Sequence, residues 1–149
     1  MKSITILCLF LLLFGSCNLA PGSYPYVERY TIKLSEEKLI DVIKKFKKDN
    51  QNYIVQPKYG FVDGRSSGKD HWYHIYFNNP QKSQIMYVWV RKKSKTETIL
   101  AFVSVKKHSD LGNWKRINKD FTKSKNKAEI KEFENRILYS LGINDFIED

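Results

Sequence analysis

Three segments in the middle of the chain constrain its fold most strongly: HWYHIYF (residues 71–77), QIMYVWV (84–90) and ETILAFVSV (97–105). Each is rich in aromatic and β-branched residues, which fit a pleated surface better than a helix. The linkers between them, NNPQKS and RKKSKT, are six residues each. A parallel crossover needs about a dozen residues or more, so these linkers call for hairpins and an antiparallel three-stranded meander over residues 71–105. Alternation puts His71, Tyr73, Ile75 and Phe77 on one face of the first strand, with Trp72, His74 and Tyr76 on the other. In the second strand Ile85, Tyr87 and Trp89 oppose Met86, Val88 and Val90. Neither face reads as polar. Either both are covered, or one is an aromatic surface open to a partner.

The flanking chain completes a domain around this meander. Tyr30, Ile32 and Leu34 alternate with Arg29, Thr31 and Lys33, a half-buried strand. Ser35 then precedes Glu36 and Glu37, an N-cap with two acids at the positive end of a helix. Leu39, Ile40, Ile43 and Phe46 form one apolar face, which predicts a helix over about 36–48. Lys44, Lys45, Lys47 and Lys48 near its end read as a solvated face that complements the dipole. Residues 52–56 read as a short strand ended by Pro57, and residues 60–70 as a turn-rich loop. That loop is not a phosphate-binding loop: Gly64 to Gly68 is one residue too short, and Asp70 stands where a Ser or Thr is required. Residues 110–121 look irregular. A last helix over about 127–141, capped by Asn126 or Ser124, carries Ile130, Phe133, Ile137 and Leu141 at helical spacing, with Gly142 placed to end it. The expected class is α+β: an antiparallel sheet of the meander plus one or two further strands, with both helices on one face.

The N-terminus is of another kind. After Met1-Lys2-Ser3, residues 4–14 are an apolar run broken only by Thr5 and Cys8. Eleven residues make a helix of about 16 Å, roughly half a bilayer core, which matches the hydrophobic region of a signal peptide rather than a span. The run ends in Phe14-Gly15-Ser16-Cys17, which resembles the lipobox of bacterial lipoproteins, departing from it at Phe14, where Leu is usual. The resemblance covers about the first 20 residues. It implies cleavage between Ser16 and Cys17, a diacylglycerol on the Cys17 sulfur and an acyl group on the new amino terminus, with no other cofactor. One acyl chain holds a protein only marginally and two or more hold firmly, so such a cysteine is a stable anchor. Residues 1–16 are then a removed signal peptide, 17–27 a lipidated N-terminus and flexible tether, and 28–149 a single domain. Cys8 would leave with the peptide, and the acylated Cys17 could form neither a disulfide nor a catalytic thiol. The expected location is the bacterial cell envelope; Asn18, in place of the aspartate that retains some lipoproteins at the inner membrane, points to the outer one. A plain secretory peptide that leaves Cys17 unpaired is the alternative.

Chemistry is sparse by comparison. His71 and His74 are three apart and point to opposite faces of a strand, there is no HExxH, and no metal is expected. No G-x-S-x-G elbow is present. Asp63 and Asp70 read as solvated loop acids. Charge is better organised: 26 Lys and Arg stand against 16 Asp and Glu, and residues 91–127 alone hold 12 basic and 3 acidic side chains. An exported basic domain suits an anionic surface, an anionic envelope polymer or an acidic protein, and not nucleic acid. Trp89, Lys92, Lys93, Trp114, Lys115 and Arg116 are the candidate interaction surface. The resulting expectation is an envelope lipoprotein that binds rather than catalyses. Two alternatives are a polysaccharide hydrolase using Asp63, Asp70, His71 and His74 near the 60–70 loop, and a periplasmic inhibitor or immunity-type protein.

Overall fold

The computed structural model describes residues 24–110 and 112–148; Ser16, Cys17 and most of the expected tether lie outside them. The meander is present as β2 (Tyr73–Asn79), β3 (Gln84–Lys92) and β4 (Thr98–Lys107), paired antiparallel throughout. β2 begins two residues later than its alternation suggests, because the Trp72 backbone N–H donates to Asp70 Oδ1 at 2.9 Å instead of joining a ladder. β1 (Glu28–Ile32) pairs with one half of β4, from Glu28↔Phe102 to Ile32↔Thr98. A three-residue β6 (Phe146–Glu148), too short to announce itself by alternation, lies outside β1. The spatial order is β2-β3-β4-β1-β6, with the two-residue β5 (Lys115–Arg116) on the other half of β4.

The two halves of β4 meet at a β-bulge. Tyr87 pairs with Ser104 and Val88 with Phe102, so Val103 is an extra residue with no partner across the ladder. An extra residue interrupts alternation and bends the strand. Here it turns Val103 and Ser104 toward the same depression. The carbonyl of Val103 accepts from Ile117 N–H at 2.9 Å, which brings the β5 segment onto the sheet.

Both helices cover one face, as the apolar pattern requires. α1 (Glu36–Asp49) is capped by Ser35, whose hydroxyl accepts from Lys38 N–H at 3.4 Å, and it buries Leu39 and Ile43. α2 (Lys123–Phe133) starts four residues before the expected helix: Thr122 precedes it, and Asn126 bonds Asn118 instead of capping. It runs on through a π turn at 134–138 and a 3₁₀ turn to Leu141, ending at Gly142 in left-handed conformation. The wider turn carries Leu138, five residues on from Phe133, into the core beside Ile137. These side chains meet Tyr30, Ile32, Ile75, Phe77, Met86, Val88, Leu100 and Phe102, with Phe102 and Phe133 stacked at 4.4 Å. No helix among the described residues is long and apolar enough to cross a membrane.

Residues 50–72 wrap the free edge of β2. The segment expected as a strand is a 3₁₀ turn at Gln51–Tyr53 and a single bridge from Ile54 to Phe77, with a second 3₁₀ turn at Pro57–Tyr59. The wrap is fastened by charge. Lys47, expected on a solvated face, is instead buried, with its Nζ 2.5 Å from Asp63 Oδ2 and 2.7 Å from the Tyr76 carbonyl. Burial lowers its pKa, and the Asp63 carboxylate opposes that shift. Asp63, expected as a solvated loop acid, spends its other oxygen on Tyr76 N–H at 2.9 Å. Asp63→Ala strips Lys47 of its counter-charge and should cost about 3 kcal/mol, read as a fall of roughly 10 °C in Tm. Lys47→Met keeps the packed stem without a buried charge and should cost less.

Candidate functional site

The sheet face turned away from the helices carries rings in place of the polar side chains of an ordinary outer face. His74, Tyr76 and Tyr87 stand side by side on β2 and β3, because cross-strand register puts Tyr76 opposite Tyr87 and His74 opposite Trp89. Their rings stack in a row continued by Phe61 from the loop. Centroids are 5.0 Å apart for Phe61–Tyr76, 5.1 Å for Tyr76–Tyr87 and 5.7 Å for Tyr87–His74. Trp114 approaches the row from the β5 segment, edge-on to Phe61 at 5.3 Å and to Tyr87 at 5.8 Å. Tyr24 approaches from the N-terminal strap, edge-on to Tyr87 at 6.3 Å. Between them lies an open depression of about 700 Å³, its wall completed by Tyr26, Val103, Ser104 and Arg116. That volume falls within the range of small-ligand sites.

A chain of hydrogen bonds runs beneath the rings. Asp70 Oδ2 lies 2.9 Å from His74 Nε2, His74 Nδ1 lies 2.5 Å from the Tyr87 hydroxyl, and that hydroxyl lies 3.1 Å from the Tyr24 hydroxyl. Asp70 also accepts from the Ser66 hydroxyl, from Ser66 N–H at 3.1 Å and from Trp72 N–H at 2.9 Å. These donors, the Ser66 hydroxyl foremost, hold its carboxyl far below the usual carboxylate range. An ionised Asp70 only accepts, so a neutral imidazole carries its proton on Nε2. Nδ1 then accepts from Tyr87, which in turn accepts from Tyr24. Burial, followed by the Tyr24 hydroxyl, pushes the Tyr87 phenol well above its ordinary pKa and keeps it protonated.

This arrangement orients groups; it does not assemble a nucleophile and its base. The hydroxyl that meets the imidazole is the Tyr87 phenol, which burial keeps protonated, and the Ser66 hydroxyl meets the carboxylate instead. Of the four groups considered for hydrolysis, Asp70 and His74 are joined, His71 is exposed in a second depression that Asp70 lines with it, and Asp63 stands apart on Lys47. Asp70, like Asp63, is thus not the solvated loop acid that its sequence setting suggests. No group of three or more His, Cys, Asp or Glu side chains that could hold a metal occurs among the described residues.

The six surface candidates are distributed unevenly. Trp114 and Arg116 line the depression, and Lys115 is exposed between them. Trp89 is 97 % covered, packed against Trp72 and Tyr24. Lys92 lies in the separate depression beside His71, and Lys93 donates to Thr31 Oγ1 at 2.9 Å. Sequence reasoning placed His74, Tyr76 and Tyr87 correctly on faces, but singled out only His74, and that for the hydrolase alternative. Two adjacent strands with aromatics at facing positions were the available signal. Tyr24 and Phe61 gave none, since both sit in turn-rich stretches. No family model, curated protein or solved structure matches the chain.

Asp70 supplies a test by pH. Its folded pKa lies below the ordinary 3.8, so its contribution to stability is complete above that value and disappears as pH falls beneath it. Urea midpoints measured from pH 7 to pH 2 should show Asp70→Asn less stable at neutral pH. The gap to the wild type should narrow below pH 4.

Proposed function

We propose that this protein is a lipid-anchored binding domain of the bacterial envelope, whose outer sheet face takes a small organic ligand or one unit of an envelope polymer. The observation that carries the reading is the aromatic depression itself. Four elements and the N-terminal strap contribute rings to one open cavity of about 700 Å³. A half-buried aromatic surface of this kind, open to solvent at a cavity, is expected where a ligand covers it. The anchor reading rests on the Phe14–Cys17 signal alone. The two readings fit together, since Tyr24, the first described residue, forms part of the cavity wall seven positions after Cys17. At about 3.3 Å per extended residue, the cavity would be held within roughly 25 Å of the membrane.

One observation favours the second reading, a polysaccharide hydrolase: the Asp70–His74 pair beside the cavity. The hydroxyl that His74 meets is the Tyr87 phenol, which burial keeps protonated, so the pair serves better to fix Tyr87 and Tyr24 than to activate a nucleophile.

Two measurements test the proposal. Metabolic labelling with a fatty-acid analogue should mark the wild type and leave Cys17→Ala unmarked; label retained by the variant refutes the anchor. Saturation-transfer NMR with indole, a neutral water-soluble aromatic probe, should show binding to the full chain. Trp114→Ala and Tyr76→Ala should each weaken it at least about tenfold, the loss expected for a central aromatic contact. No transfer from the wild type would remove the cavity from consideration as a binding site.

A further inference from the structure

The chemistry of the cavity wall narrows the ligand class, an inference that rests on the binding reading above. Charge comes first. None of the residues lining the cavity is a carboxylate, and the nearby acids are already committed: Asp70 to Ser66, Trp72 and His74, and Asp120 to Arg116. Two cations flank Trp114. Arg116 is fixed by Asp120 through Nε at 3.0 Å and Nη2 at 3.3 Å, which leaves three of a guanidinium's five N–H donors for another partner. Lys106 lies mostly buried with its ammonium 5.6 Å from the Trp114 ring centroid and 5.5 Å from that of Phe61, and it has no carboxylate partner among the described residues. Aromatic cages commonly receive cations. Here the faces of Trp114 and Phe61 already carry a cation of the protein's own, so a cationic ligand would meet like charge.

Hydrogen bonding narrows the class again. Tyr76 and Ser104 line the cavity, and their hydroxyls have no hydrogen-bond partner among the described residues. A purely apolar guest, an acyl chain or a flat hydrocarbon ring, would bury both unpaired, at roughly 1–3 kcal/mol for each. A pyranose ring instead offers a C–H face to the side-chain rings and a rim of hydroxyls to these two groups. A carboxylate on that ring would meet the guanidinium, the bidentate partner such a group prefers. The cavity is open rather than enclosed, so a sugar within a longer chain can enter it.

We propose that the cavity binds an acidic saccharide: one uronic-acid-type unit of an oligo- or polysaccharide. Its ring packs against Trp114 and Tyr76, its hydroxyls face Tyr76 and Ser104, and its carboxylate meets Arg116.

The test uses the full-length protein in detergent micelles and calorimetric titration with trigalacturonate and its neutral counterpart, galactotriose. Trigalacturonate should bind at least tenfold more tightly than the neutral trimer. Arg116→Gln should erase that preference, and Trp114→Ala should weaken both trimers. Lys92→Gln with Lys93→Gln, which removes two charges outside the cavity, should leave the preference intact. Equal binding of the two trimers, a preference that survives Arg116→Gln, or one lost equally with Lys92 and Lys93, overturns the proposal. Indole binding without either saccharide overturns the ligand class while the binding site stands; absence of all three ligands overturns both.

Discussion

One unpaired residue in β4 sets the geometry on which the rest depends. With Val103 inserted opposite the Tyr87–Val88 step, β4 keeps β3 along its whole length on one edge but changes neighbour on the other. β1 follows it as far as Phe102, and β5 takes over from Ser104. A bulge increases local twist and bends the strand, and at this bend the two neighbours part. The gap brings Trp114 and Arg116 over a face that already carries Tyr76 and Tyr87. An unbroken six-stranded ladder would have no such seam, and its outer face would be a flat sheet of rings.

The cavity also needs walls that stay in place, and these are held by polar groups rather than by apolar packing. Lys47 and Asp63 tie the loop that carries Phe61 to both α1 and β2, through a bonded charge pair whose lysine is buried. Asp70 closes the same loop a few residues later by accepting from two backbone N–H groups and two side chains. From Asp70 the hydrogen bonds run through His74 and Tyr87 to Tyr24, so the strap on one wall and the loop on the other share a single network. Ordering groups in advance in this way lowers the entropy lost when a ligand binds. It also explains why a histidine sits beside the cavity with neither ring nitrogen free.

Parts of this were legible residue by residue. The meander, the Ser35 cap, the helical face of α1 and the division of β2 and β3 side chains between two faces follow from spacing and composition within a dozen residues. The open alternative, two covered faces or one aromatic surface, is resolved by the fold into a helix-covered face and a face with a ring-lined cavity. The misreadings share one cause. Lys47 belongs to a lysine-rich stretch whose other members are solvent-facing or only partly covered, and Asp63 and Asp70 to a loop of polar residues. Their burial arises from partners 16, 13 and 4 positions away that meet them only after the loop has folded over β2. Trp89, chosen as a surface residue, is hidden because Tyr24 and Trp72 arrive from outside its strand.

What the sequence determined by itself is therefore local: where the chain alternates, which residues share a helical face, and, in residues 1–17, a resemblance to an export and anchoring signal. Those properties depend on side chains close together along the chain, whose energetics hold in almost any fold. Only the tertiary structure decided which basic and acidic residues would pair, where β4 would take its extra residue, and which aromatics would enclose a cavity. Each of those outcomes is a contact between distant segments. A charge must pair once the fold has taken it from water, and a ring can leave water only where the fold brings other apolar groups to it.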